Sequence, residues 1–154
     1  MRRNAFQLSR RHKAALYLIT AAVFLTGVAW AWLHAFAHAT GEFGTEPHPA
    51  EPWMLKAHGA AAMATLVILG TLLPIHVKRG WQARQNRVTG IALLGLFGVL
   101  TITGYGLYYA GAENLRALTS TLHFWLGLAL PAGLVAHVVR GHWLRRHGRL
   151  RQQP

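Results

Sequence analysis

The sequence predicts an all-α membrane protein: a transmembrane four-helix bundle built as two tandem helical hairpins, with both termini in the cytoplasm. Three observations carry that expectation. Four apolar runs, at roughly 14–36, 55–77, 88–111 and 117–139, are each long enough to cross a hydrocarbon core of about 30 Å as a helix. Charge is scarce, at 13% of residues, where a soluble domain carries about 25%. The charges that remain are concentrated outside the runs and sorted by sign. In a chain of 154 residues this leaves one integral membrane domain, 1–154, and no length for a separate soluble one.

The first run follows Arg2, Arg3, Arg10, Arg11 and Lys13 and ends near Ala35-Phe36-Ala37-His38-Ala39. Basic flank and small residues resemble a signal peptide. Its apolar stretch of about 20 residues exceeds the usual 7–15, so a retained helix is expected. The loop 37–52 is the only long connection; with Gly41, Gly44, Pro49, Pro52 and three glutamates it should be irregular. The second loop, 78–87, is short and holds Lys78, Arg79, Arg84 and Arg87. The third, near Gly111–Leu115, is the tightest. The tail carries Arg140, Arg145, Arg146, Arg149 and Arg151.

With four spans, fourteen of the sixteen basic residues fall on one side, and Glu42, Glu46, Glu51 and Glu113 on the other. The positive-inside rule assigns the basic side to the cytoplasm. The net charge of +12 is thus a topology signal with affinity for anionic lipid, and nucleic-acid binding is not expected. Cysteine is absent. Intrachain disulfides, thiolate metal sites, iron–sulfur clusters and covalent c-type haem are excluded.

A weak internal repeat relates 14–82 to 91–145. Ile75-His76-Val77-Lys78-Arg79-Gly80-Trp81 resembles Ala136-His137-Val138-Val139-Arg140-Gly141-His142-Trp143, and Leu25-Thr26-Gly27 echoes Ile102-Thr103-Gly104. The repeat makes His76 equivalent to His137 and His58 to His123. A second alignment, Gly70–Pro74 against Gly127–Pro131, is displaced by one turn.

These four histidines are the candidate site. His58 and His76 lie on the second run, His123 and His137 on the fourth, and the third run has none. Ionisable groups in hydrocarbon are costly and face a cofactor, a pathway or one another. At about 100° per residue, spacings of 18 and 14 return each pair to roughly one stripe, with separations of about 27 Å and about 21 Å. Two imidazoles from facing helices make a six-coordinate haem centre with no open position, suited to electron transfer. Two such pairs would hold two haems, one near each membrane surface. Gly59, Ala62, Gly127 and Gly133 would supply slots, although close helix packing also selects small residues.

The other histidines read differently. His34 and His38 are spaced i,i+4 and suggest an interfacial pair near a quinone or partner site. His12 competes with His76 for the inner position. His48, His142 and His147 read as solvated groups, and Lys56 as a snorkelling cation or a haem-propionate partner. Trp30, Trp32 and Trp53 at one boundary and Trp81 and Trp143 at the other form an aromatic belt, and Tyr105, Tyr108 and Tyr109 have the same reading.

Leu55-Lys56-Ala57-His58-Gly59-Ala60-Ala61, Thr103-Gly104-Tyr105-Gly106-Leu107-Tyr108 and the His123…His137 helix together resemble bacterial four-helix b-type cytochromes. These are the cytochrome b561-like proteins, including the membrane cytochrome subunits of formate dehydrogenase and hydrogenase. The resemblance implies a multi-pass protein of the bacterial inner membrane with two non-covalent haem b groups. It implies that His123 and His137 ligate separate haems and that His58 serves the outer one. For the inner partner the family pattern points to the first helix, hence His12, whereas the internal repeat points to His76.

The expected function is that of a di-haem cytochrome moving electrons between a quinone or protein carrier and a partner redox subunit or soluble cytochrome. It would be an electron-transfer component rather than a stand-alone enzyme. The alternatives are a haem-free membrane anchor or assembly subunit, and a small metal or proton transporter using the same histidines.

Overall fold

The computed structural model describes residues 9–42 and 44–150, the side chains of 148–150 excepted. Of the basic residues assigned to the cytoplasmic side, Arg2, Arg3 and Arg151 lie outside the described residues, as does the side chain of Arg149. The described residues are 85% helical. Among the described residues, four helices are long and apolar enough to cross a membrane. The chain divides into two compact units, Met1–His76 and Val77–Pro154.

In the first unit, α1 (Arg10–Phe36) is capped by Ser9, whose hydroxyl accepts from the His12 backbone N–H at 3.2 Å. It ends where Ala37 turns extended (φ −112°). Strands β1 (His38–Gly41) and β2 (Gly44–Pro47) pair antiparallel, with His38 opposite Pro47 and Gly41 opposite Gly44. Gly44 sits at φ +116°, a conformation that favours glycine. The loop expected to be irregular is therefore a small hairpin. Its strands lack the β-branched, alternating pattern that marks strands in a sequence.

Helix α2 (Glu51–Leu72) opens with Pro52 in its first turn, where a missing N–H costs nothing. It packs against α1. Thr20, Ala61, Thr65 and Leu72 are buried; the first three are the small and hydroxylated kind that let membrane helices approach closely. Most large apolar side chains point outward: Leu18, Phe36, Met63 and Val67 are exposed.

After Leu72 the chain winds into a π-helical turn, Leu73–Val77, around Pro74. Proline has no N–H for the i−4 carbonyl, and one wider turn absorbs the lost bond. That turn inserts an extra residue and shifts the helical phase by roughly 100°. The uniform count that sets His58 and His76 on one stripe does not carry through it.

The second unit begins with α3 (Lys78–Gln82). Arg84 and Asn86 both take left-handed backbone (φ 52°) to turn the chain. The Arg87 guanidinium bonds the Trp81 carbonyl through Nε at 3.0 Å and lies over its ring, 4.7 Å from the centroid. Helix α4 (Arg87–Tyr109) then packs against α5 (Glu113–Leu150) across a short link. Phe97, Thr103, Thr119 and Leu130 are buried. Helix α5 has 38 residues and continues well past its apolar run, through Arg140, Arg145 and Arg146.

Candidate functional site

Each unit places histidines against threonine–glycine steps of the neighbouring helix. In the first unit, His58 on α2 sets Nδ1 2.9 Å from the Val23 carbonyl and 3.3 Å from Thr26 Oγ1. A carbonyl only accepts, so Nδ1 carries the proton. The Thr26 hydroxyl donates to the Ala22 carbonyl at 2.7 Å. Gly27 lies under the ring: a Cβ there would stand 2.9 Å from His58 Cε1.

The second unit repeats the seat twice. His123 Nδ1 is 3.0 Å from Thr103 Oγ1, whose proton goes to the Val99 carbonyl at 2.8 Å. A Cβ on Gly104 would meet His123 Cε1 at 3.2 Å. One level along, His137 Nδ1 is 3.0 Å from Thr89 Oγ1, which donates to Asn86 Oδ1 at 2.7 Å. Asn86 Nδ2 donates to the His137 carbonyl at 2.9 Å, and Gly90 lies 3.6 Å, measured from its Cβ position, from His137 Cε1.

The threonine proton is spent on a backbone or amide oxygen in all three cases. At His58 and His123 the oxygen is left to accept Nδ1–H, which fixes one tautomer with the lone pair on Nε2, whereas at His137 the donating Asn86 amide nitrogen also lies 3.3 Å from Nδ1. This is how metal-binding imidazoles are oriented by a second partner. The rings are half-buried. Beside Thr89 opens a cleft of about 600 Å³ lined by Thr89, Ala136, Val139, Arg140 and Trp143, with mainly apolar walls and one cation.

Three of the four predicted histidines are held on such steps; His76 stands half-buried on the π turn. His12 is exposed in the first turn of α1, Nδ1 3.0 Å from Ser9 Oγ. The predicted slot residues separate. Gly127 has nothing within 4 Å of its Cβ position, while Gly133 packs on Leu93 and Leu96. The space that a Cβ would fill at Gly27, Gly104 and Gly90 is taken by the imidazole rings of His58, His123 and His137. Among the described residues no three His, Asp or Glu side chains converge to hold a bare metal ion.

His34 and His38 do not share a helix face, because α1 stops at Phe36 and His38 opens β1. His34 instead sets Nδ1 3.0 Å from Glu51 Oε2. Sequence distance hides that partner, seventeen residues away. Lys56 lies over the Trp53 ring at 4.6 Å, and Tyr105 stacks on Tyr109. Thr89-Gly90 also escaped the sequence reading, although the same dipeptide recurs at 26–27 and 103–104.

No protein-family model, no curated protein and no solved structure matches this chain.

Proposed function

We propose that the chain is a di-haem b-type membrane cytochrome, carrying electrons across a bacterial inner membrane between a quinone or protein carrier and a partner redox protein. The carrying observation is the threonine–glycine seat, made three times, that orients the rings of His58, His123 and His137 through Nδ1. Bound haem iron supplies a reversible one-electron couple. His58 and His123 would hold the outer haem, and His76 and His137 the inner one. The bundle is built from tandem hairpins with both termini cytoplasmic, as the basic residues indicate.

One observation favours a second reading of the inner pair. Thr26 faces His58, and His12 lies fourteen residues along α1 from Thr26, about 21 Å. His137 lies the same fourteen residues from His123. His76 is eighteen residues from His58, about 27 Å along a regular helix. The matched spacing supports His12 as the partner of His137.

The test is an absorption spectrum of the purified protein. Reduced-minus-oxidised b-type bands at a 2:1 haem-to-chain ratio are expected. Colourless protein from haem-replete cells overturns the proposal and leaves the anchor. Metal-dependent flux without those bands identifies the transporter.

A further inference from the structure

Glu51 is the only acidic side chain buried among the described residues, and both its oxygens are engaged. Oε1 accepts the His48 backbone N–H at 3.2 Å, and Oε2 accepts Nδ1–H of His34 at 3.0 Å. The pair joins the last turn of α1 to the first turn of α2, where the carboxylate complements the helix dipole. A plain staple between helices would bury both partners. Here the carboxylate is buried at 10% side-chain exposure, while the imidazole stands 62% exposed.

The carboxylate fixes the tautomer of His34 and leaves its lone pair on Nε2. The Trp30 indole stacks on one face of the ring, centroids 4.9 Å apart and planes within 13°. A hydrogen-bond acceptor held by a buried anion and stacked on an indole, at the ends of two apolar helices, suits a flat ring that bears a hydroxyl and dissolves in lipid. A water-soluble alcohol would compete there with bulk water.

We propose that the His34–Glu51 dyad binds the head group of a membrane-dissolved hydroquinone, one ring hydroxyl donating to His34 Nε2. His34 touches the ligand, and Glu51 is a positioning residue. The inference deepens the reading above by giving its quinone carrier a seat, and it rests on that reading.

The test is equilibrium binding of a short-chain hydroquinone to the full protein in lipid nanodiscs without oxygen, followed by ¹⁵N NMR of the histidine rings. Saturable binding with a shift confined to His34 Nε2 is expected. The O-methylated dimethyl ether of the same ligand should bind at least tenfold more weakly to the unmodified chain. His34→Ala and Glu51→Gln should each weaken the hydroquinone at least tenfold with haem content unchanged. Equal affinity for hydroquinone and ether, or an unmoved His34 signal, overturns the dyad site while leaving the cytochrome intact. A colourless protein overturns the cytochrome reading instead.

Discussion

Thr89 Oγ1 and His137 Nδ1 lie 3.0 Å apart, the same distance that separates Thr103 Oγ1 from His123 Nδ1. Fourteen residues separate the two threonines along α4, and fourteen separate the two histidines along α5. Antiparallel helices in constant register therefore deliver one chemical arrangement twice, about 21 Å apart. A third copy, Thr26 with His58, occurs in the first unit.

If the hydroxyl orients the ligand, Thr103→Val removes the acceptor for Nδ1–H at nearly constant volume. Haem affinity at the outer site should fall 10–100-fold, the usual loss when a metal-binding imidazole loses its orienting partner. Thr103→Ser, which keeps the oxygen, should restore most of it. Haemin titration of the apoprotein measures both.

The glycines give an independent test by volume. Gly27→Ala brings a methyl to 2.9 Å of His58 Cε1, and Gly104→Ala to 3.2 Å of His123 Cε1. Either must push its ring aside, at about 1–3 kcal/mol for overpacking. One haem of two should be lost or its bands shifted. Gly90→Ala meets His137 only at 3.6 Å and should be milder. Haem-to-protein ratios in parallel preparations rank the three.

Ligand substitutions separate the pairs. His58→Ala and His123→Ala should lose the same haem, taking the ratio from 2:1 to 1:1, and His137→Ala the other. His12→Ala and His76→Ala then divide the two inner readings, because only the true partner of His137 should reproduce its spectrum.

Thr20 offers a control on hydroxyl effects. It is 4% exposed, and its Oγ1 has no hydrogen-bond partner among the described residues. An unsatisfied buried hydroxyl costs about 1–3 kcal/mol. Thr20→Val should therefore be neutral or stabilising by about 1 kcal/mol, whereas Thr26→Val should weaken haem binding. Thermal unfolding in detergent, followed by circular dichroism, checks the first.

The helices were legible in the sequence because twenty-odd apolar residues in a row admit little else. The histidines stood out for a related reason: imidazole is conspicuous in hydrocarbon. Their seats were half legible. Leu25-Thr26-Gly27 and Ile102-Thr103-Gly104 show as an echo, but a dipeptide does not say which residue of another helix it faces. Thr89-Gly90 lies outside that echo, near a helix start, and only the fourteen-residue match ties it to the others. Glu51 was hidden by the hairpin that folds it back onto His34. The phase of His76 was lost at Pro74, since periodicity counting assumes one kind of helical turn.

Helix α5 runs 38 residues, about 57 Å at 1.5 Å per residue. That is nearly twice the thickness of a hydrocarbon core. Its basic end, with Arg140, Arg145 and Arg146, continues as helix for about 16 Å past the apolar run. Already helical, this end would present its charges to an anionic surface without the cost of first ordering the chain.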